Sequence, residues 1–370
     1  MNISIFCKVV DNFGDIGVCY RLAKRLQSIN PDNVISLVVS NLDAFHSINN
    51  QINSALPYQV AEGLEIYDWN AENLCFSAFL ADDGAKLGVI LECFQCGRPE
   101  WLDKILFDDQ QGQGKAGLSR IVQIIMIDYL TAEKYADDFH CLQSLTRSSK
   151  VRKVNFMPGF TEKTGGLIIG QGWEKVCERN VHGPVLFFMY DNDWQPLASA
   201  LKEAGRTVLV GQGKGRDSFV EAASRSGFRN LEILPFMNQN QWDDMMKSCS
   251  ALFVRGEESL ARACLSGIPF VWQAYPQSDE YQLVKVKALL ELMKNFFEPE
   301  DFDFIYKLWI DFNSPNSERN DFYFEKACLE FLEKLDALAY GFLAFALSLR
   351  KNGDLGSNLM TYIEKIAIMD

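Results

Sequence analysis

Two carboxylates four residues apart, Asp11 and Asp15, enclose Asn12, Phe13 and Gly14 in the run Asp11-Asn12-Phe13-Gly14-Asp15-Ile16-Gly17. Carboxylates do nothing for a core, and Gly14 with Gly17 permits a tight turn and close approach of a ligand. The plainer alternative is that Asp15 caps a helix and Asp11 ends a strand. The run is not a dinucleotide fingerprint, because G-x-G-x-x-G is absent. A second loop, Val254-Arg255-Gly256-Glu257-Glu258-Ser259, sits between an apolar run and a helical pattern. A helix N-terminus there offers free N–H groups to a diphosphate. Arg255 can grip phosphate with two donors, and Ser259 adds a hydroxyl. Glu257 and Glu258 sit awkwardly beside an anion, so at least one is expected on sugar hydroxyls, unless both only complement the helix dipole.

A third cluster is Phe236-Met237-Asn238-Gln239-Asn240-Gln241-Trp242. Aromatics around amides suit a flat base, stacked by rings and read at its edge by Gln239. An aromatic helix start packed in a core explains the same residues. Phe187, Phe188 and Tyr190 end a strand, and Tyr275 follows another. Asp191-Asn192-Asp193 matches DxD but opens a helix, so capping is the better reading. Gly211-Gln212-Gly213-Lys214-Gly215-Arg216-Asp217-Ser218 lacks the G-x-x-x-x-G-K-[ST] spacing and reads as a flexible loop. The one CxxC, Cys93-Phe94-Gln95-Cys96, supplies half a zinc site and reads as small residues buried after a strand. Histidines number three, His46, His140 and His182, and none lies in a motif.

These loops need strands and helices to hold them. Strands are expected near residues 3–10, 34–39, 59–66, 88–91, 121–127 and 153–156, with a helix over 17–29. Glycines at 159, 165, 166, 170, 172 and 183, closed by Pro184, break the rhythm, and the interdomain connection is expected near residue 181. Strands then recur near 185–189, 207–210, 231–234, 251–254 and 270–272. Helices are expected over 194–204, 217–226, 241–248, 259–266 and 279–292. A helical tail follows Ser314-Pro315-Asn316 and breaks near Asn352-Gly353-Asp354. Continuous apolar strands alternating with helices imply mainly parallel sheets covered on both faces. Two such units suggest two Rossmann-like domains facing a central cleft, with ligands at the carboxyl ends of strands.

Composition narrows the function. The 370 residues include 36 Lys and Arg against 49 Asp and Glu, a formal net charge of −13. An acidic balance disfavours nucleic acid, which needs a basic face. No apolar run reaches the ~20 residues that span a bilayer, so no membrane partner is expected. The start of the sequence reads as a strand and not as a signal peptide, and ten cysteines without a dense framework are expected as reduced thiols of a cytoplasmic protein.

Taken together the motifs resemble the EarP family, arginine rhamnosyltransferases of bacterial elongation factor P. The opening Val10-Asp11-Asn12-Phe13-Gly14-Asp15-Ile16-Gly17-Val18 with Tyr20-Arg21-Leu22-Ala23 carries the likeness first. Leu91-Glu92-Cys93-Phe94, Pro158-Gly159-Phe160 and Thr164-Gly165-Gly166-Leu167 extend it. Val254-Arg255-Gly256-Glu257-Glu258-Ser259, Pro269-Phe270-Val271-Trp272 and Tyr275-Pro276-Gln277 complete it in order. The resemblance implies an inverting GT-B glycosyltransferase of α/β class. Its donor would be dTDP-β-L-rhamnose and its acceptor a loop arginine of elongation factor P. It implies an N-terminal acceptor and catalytic domain over 1–180, with 345–370 packing back on it, and a nucleotide-sugar domain over 181–344. Asp11 and Asp15 would carry catalysis, with Glu257 beside them. Asn12, Phe13, Gly14, Phe188, Tyr190, Phe236, Gln239, Trp242, Arg255, Gly256, Glu258, Ser259 and Tyr275 would contact the donor. No metal and no cofactor are implied, because Arg255 and N–H groups can neutralise the leaving diphosphate.

Magnitudes shape the implied chemistry. Guanidinium titrates near ~12.5–13.8 and aspartate near ~3.9, so full ground-state proton transfer costs roughly 12–13 kcal/mol. Asp11 is therefore expected to orient and polarise the guanidinium, and to take its proton only as the N–C bond forms. Asp15 would hold Asp11 or the rhamnose. Other readings of the same residues are a GT-B enzyme with another nucleotide sugar and a small-molecule acceptor, or a two-domain binding protein without chemistry. The paired aspartates argue against the latter.

Overall fold

Residues along β1 (Asn2–Cys7) alternate between two apolar layers, and both layers are filled. Ile3, Ile5 and Cys7 join one buried cluster with Ile16, Leu22, Leu26, Leu359 and Ile363. Phe6 joins a second cluster with Val38, Phe79, Trp101 and Leu102. A strand covered on both faces is apolar nearly throughout, and the one buried polar residue inside β1, Ser4, donates its hydroxyl to the Lys86 carbonyl at 2.7 Å.

The computed structural model of the chain describes residues 1–10, 12–107, 118, 121–277 and 279–369. The chain divides into two units. One comprises Met1–Leu130, Lys134–Gln171 and Asn352–Asp370, the other Thr131–Glu133 and Gly172–Lys351.

In the first unit β1 is followed by α1 (Asn12–Ile29), β2 (Val34–Val39), α2 (Leu42–Ile48), β3 (Tyr58–Ala61), β4 (Leu64–Asp68) and α3 (Glu72–Gly84). Then come β5 (Val89–Cys93), α4 (Glu100–Phe107), β6 (Val122–Ile127), α5 (Tyr135–Phe139), β7 (Gln143–Ser144) and β8 (Val151–Phe156). The strands form one sheet in the order β3-β4-β2-β1-β5-β6-β8-β7. Its interior pairs are parallel, and only the edge strands β3 and β7 run antiparallel.

Two sequence expectations change here. The strand expected over 59–66 is a hairpin, turned at Glu62 and Gly63, which both have positive φ. The Glu62-Gly63 pair between Ala61 and Leu64 is the break that divides the expected strand in two. The helix expected from residue 17 begins at Asn12, so Phe13, Gly14 and Asp15 lie in its first turns and not in a glycine-hinged loop.

The second unit repeats the pattern with β9 (Val185–Phe188), α6 (Gln195–Glu203), β10 (Val208–Val210), α7 (Arg216–Ser226), β11 (Leu231–Ile233), α8 (Gln239–Lys247), β12 (Ala251–Arg255), α9 (Glu257–Ser266) and β13 (Phe270–Gln273). These strands form an all-parallel sheet in the order β11-β10-β9-β12-β13. Helices α10 (Tyr281–Met293), α11 (Pro299–Asn313), α12 (Asp321–Glu333) and α13 (Leu335–Lys351) follow. The core is aromatic: Phe187 stacks on Phe219 at 3.9 Å, and Phe270 meets Trp309 at 5.2 Å.

The unit boundaries fall at 171/172 and 351/352, short of residue 180 and beyond residue 345. Buried Trp173 donates its indole N–H to Asp243 at 2.8 Å. Arg350 donates to the carbonyls of Trp173 and Leu265 at 3.1 and 2.7 Å. These bonds tie Trp173 and Arg350 to one another and to α8 and α9 of the second unit.

The final helix, α14 (Leu355–Met369), belongs to the first unit. Asp354 ties it there. Its Oδ2 accepts from Arg25 Nε of α1 at 2.8 Å and from the Ser357 N–H at 2.8 Å, and its Oδ1 accepts from the Ile169 N–H at 2.7 Å. Among the described residues no helix is long and apolar enough to cross a membrane.

Candidate functional site

Strand β12 delivers Arg255 at its carboxyl end, between the aromatic residues that end β9. The guanidinium carbon lies 4.6 Å from the ring centre of Phe188 and 4.6 Å from that of Tyr190. Both contacts use the faces of the rings, where the π-system attracts a cation. A guanidinium held by stacking keeps its in-plane N–H groups for another partner. Nε of Arg255 is buried and has no hydrogen-bond partner among the described residues. A buried donor left unmatched is costly.

The rings around Arg255 support one another. Phe188 meets Trp242 of α8 edge-on at 4.8 Å, and Tyr190 meets Tyr275 at 5.5 Å and 88°. The Tyr190 backbone N–H donates to the Gln273 side chain at 2.8 Å, fixing the end of β9 against β13. Gly256 follows Arg255 with φ +70°, which turns the chain into α9 and suits glycine. Its carbonyl accepts the indole N–H of Trp272 at 3.2 Å. The first turn of α9 then presents Glu257, Glu258 and Ser259. Both acids are engaged with cations: Glu257 lies 3.8 Å from the Lys285 ammonium, and Glu258 lies 3.3 Å from Nε of buried Arg262. Ser259 is buried within the helix.

The amide cluster is a helix start. Asn238 and Gln241 form a reciprocal capping box on α8. That arrangement places Gln239 at the first helical position, half-buried, with Phe236 just before it and 47% exposed. The structure therefore brings Phe188, Tyr190, Trp242, Arg255, Gly256 and Tyr275 together, with Phe236, Gln239 and the first turn of α9 on the adjoining loops.

The glycine run after β10 is not the flexible loop expected from its sequence. Gly211 and Gly215 donate backbone N–H bonds to the carbonyls of Phe187 and Met189 at 2.9 and 3.1 Å. A Cβ at Gly211 would come within 2.9 Å of both Phe188 and Trp242, and one at Gly213 within 3.0 Å of Phe188 and 3.3 Å of Arg255. Glycine is required because the loop lies directly on the aromatic wall. Lys214 extends over the Tyr275 and Tyr190 rings at 5.5 and 6.0 Å. The missing P-loop spacing concealed this role; its place after a strand of a parallel sheet was the available signal. At Asp191-Asn192-Asp193, by contrast, the Asp193 carboxylate accepts from the Gln195 N–H at 3.1 Å in a local turn before α6, while the N-cap itself is Trp194 and carries no side-chain capping bond, so the expected capping is not what these acids supply.

The first unit positions Asp15. It is 2% exposed, in the first turn of α1. Its Oδ2 accepts from the Val10 N–H at 2.8 Å, which ties the chain before the helix to its first turn. Its Oδ1 accepts from the Tyr129 hydroxyl at 3.3 Å. Tyr129 lies just past β6 and stacks on Phe94 at 4.6 Å. Burial first, and then Asp15, push the Tyr129 hydroxyl above its ordinary range, so it is a neutral donor. Sequence reasoning missed Tyr129, although the strand-end rule covers its position. Phe94 and Gln95 both adopt positive φ, which bends the CxxC segment so that Cys93 is buried and Cys96 half-buried, both as free thiols. Burial, with Asp15 next, raises the Cys96 thiol. Phe13 is 39% exposed on α1, with Gly14 beside it; Asp11 and the Asn12 side chain lie outside the described residues.

Comparison with known proteins gives the family and the fold. A family described as Elongation-Factor P (EF-P) rhamnosyltransferase EarP matches residues 3–183 and 175–364. The chain is 32% identical over 346 residues to the protein-arginine rhamnosyltransferase of Shewanella oneidensis, covering 82% of this chain and 84% of that protein. It is 29% identical over 326 residues to the protein of the same description from Pseudomonas aeruginosa, covering 78% and 80%. Among solved structures, one of EarP-mediated arginine glycosylation of translation elongation factor EF-P superposes with a TM-score of 0.57 at 18% identity, over 99% of each chain. A UGT transferase from Siraitia grosvenorii in complex with UDP gives 0.53 at 9%, over 99% of this chain and 100% of that one. The fold is GT-B.

Proposed function

Because the chain belongs to the EarP family, Elongation-Factor P (EF-P) rhamnosyltransferases, and is a protein-arginine rhamnosyltransferase, we propose that it takes L-rhamnose from dTDP-β-L-rhamnose and places it on a loop arginine of EF-P with inversion. The observation that carries the donor half is Arg255, stacked between Phe188 and Tyr190 with a buried N–H unmatched. A diphosphate is the acceptor this donor fits. Gln239, Phe236 and Trp242 are the residues assigned to the thymine. Arg255, Glu257 and Ser259 are assigned to the ribose and diphosphate, Gly256 and Glu258 are further donor contacts, and Tyr190, Phe188 and Tyr275 line the pocket. Asn12, Phe13 and Gly14 complete the donor contacts. Glu257 is also assigned, with Asp11 and Asp15, to catalysis.

In this reading the acceptor nitrogen attacks the anomeric carbon in line with the departing diphosphate. The N–C bond forms as the C–O bond breaks, its electron pair goes to the diphosphate oxygen, and the guanidinium proton passes to Asp11. Asp15 orients this end of the site through the Val10 N–H and Tyr129. No metal enters the scheme, because Arg255 and the N-terminal N–H groups of α9 meet the charge of the leaving group.

The test is the intact mass of EF-P from the same organism after incubation with the protein and dTDP-β-L-rhamnose. The reading expects a gain of one deoxyhexose on a single arginine. No gain while dTDP still binds in preference to UDP would discard the acceptor and keep the donor. Asp11→Asn is expected to abolish turnover and keep donor affinity; loss of donor binding with turnover intact at saturation would move Asp11 out of its role.

A further inference from the structure

The residue left over by the proposed donor site is Lys214. It sits at the tip of the glycine run and rests over the rings of Tyr275 and Tyr190, 5.5 and 6.0 Å from their centres. Tyr190 also carries the Arg255 guanidinium at 4.6 Å, so one ring serves two cations. Two like charges are drawn to the same wall although they repel. That arrangement is stable where a multiply charged anion is to be met, and weak where none is.

The loop that carries Lys214 is built to stay there. Gly215 bonds to Met189 and Gly211 to Phe187, and a Cβ at Gly215 would lie 2.5 Å from the Tyr190 carbonyl. Gln212 adds a side-chain bond to the Leu234 carbonyl at 2.6 Å. The backbone is pinned and the long lysine stem is the movable part. Lys214 is exposed, so its ammonium can leave the two rings for a stronger partner without disturbing the loop.

We propose that Lys214 is a second cation for the sugar-nucleotide diphosphate, engaging it most strongly as the leaving group gains charge. The inference rests on the donor-site reading above. A sugar diphosphate has two singly charged phosphates. When its C–O bond breaks, the electron pair stays on the terminal phosphate, whose charge rises to about −1.5 to −2. Arg255, fixed between two rings, meets the ground-state charge. Lys214, on a flexible stem, follows the charge that develops, and an interaction stronger in the transition state raises kcat and not only affinity.

The experiment compares wild type, Lys214→Met, Lys214→Arg and Arg255→Ala by titration calorimetry with dTDP and with dTDP-β-L-rhamnose, and by steady-state kinetics. Lys214→Met is expected to weaken dTDP about threefold more than the sugar nucleotide and to lower kcat about tenfold, with donor KM little changed. Lys214→Arg is expected to restore most of both. Equal losses for both ligands, or wild-type kcat in Lys214→Met, overturn the proposal while leaving the donor site standing if Arg255→Ala weakens both ligands. Failure of wild type to bind either ligand overturns the donor reading, and the proposal with it. Thermal melting of Lys214→Met, an exposed position, checks that the fold is intact.

Discussion

The hydroxyl of Tyr129 reaches Oδ1 of Asp15 at 3.3 Å, joining residues 114 apart in sequence at the carboxyl ends of β6 and β1. Asp15 is thereby held from two sides, by Val10 N–H and by a phenol that stays protonated. Tyr129→Phe removes one bond and keeps the ring that stacks on Phe94. Stability is expected to fall by about 1 kcal/mol. In steady-state kinetics kcat is expected to fall about tenfold with donor KM unchanged, as loss of carboxylate positioning requires. Unchanged kcat would make the bond purely structural.

Arg255 is a test of planarity. Arg255→Lys keeps the charge and loses the flat group that fits between Phe188 and Tyr190. Calorimetry is expected to show dTDP binding weakened about tenfold or more, the equivalent of about 1.5–3 kcal/mol for charged hydrogen bonds. Full retention by lysine would mean that a point charge suffices.

The glycines of the 211–215 run separate stability from binding. At Gly215 an added Cβ meets two backbone carbonyls at 2.5 and 2.6 Å, neither of which can swing away. Gly215→Ala is expected to destabilise the protein by about 1–3 kcal/mol in urea unfolding. At Gly213 the neighbours are the side chains of Phe188 and Arg255 at 3.0 and 3.3 Å. Gly213→Ala is expected to leave the urea midpoint nearly unchanged and to weaken dTDP. The opposite ranking would contradict the packing.

His140 confers a pH dependence whose sign follows from its setting. Burial lowers its pKa from the ordinary 6.5, against a smaller opposing effect of Asp137. Its Nδ1 accepts the Met157 N–H at 3.1 Å, which needs the neutral ring. Below about pH 6.5 the unfolded chain binds a proton that the folded chain resists, so stability falls as pH drops and the loss stops below the folded pKa. His140→Gln is expected to flatten the slope of unfolding free energy between pH 6.5 and 5. An unaltered slope would assign the dependence to other groups.

Asp354 carries the attachment of α14. Its carboxylate serves Arg25, Ile169 and Ser357 together. Asp354→Ala takes the acceptor from the buried Ile169 N–H and the carboxylate from Arg25, whose guanidinium keeps only its longer bonds to the Ser28 and Ser357 hydroxyls, and is expected to cost about 2–4 kcal/mol. Hydrogen exchange should show α14 opening first. Exchange at the wild-type rate there would show that apolar packing of Leu355, Leu359 and Ile363 alone holds the helix.

Local physics made much of this protein readable from its residues. Apolar runs of strand length between helical patterns specify parallel sheets, because only a strand buried on both faces is apolar nearly throughout. Val254 to Ser259 could be read as strand, turn and helix start, since Arg255, Gly256 and the acids of the first turn each favour that local conformation. Spacing alone misplaced the start of α1, because Asn12 to Gly17 has weak helix propensity and is held helical by contacts. It missed the hairpin at Glu62 and Gly63, although that acid–glycine pair is itself the turn signal in the sequence. What only the tertiary structure decided is which distant residues share a wall: Tyr129 with Asp15, Asp354 with Arg25, Lys214 with Tyr190 and Tyr275. Side-chain periodicity reports which face a residue occupies within its own element. The crossovers between parallel strands decide which loops become neighbours, and no local propensity records that.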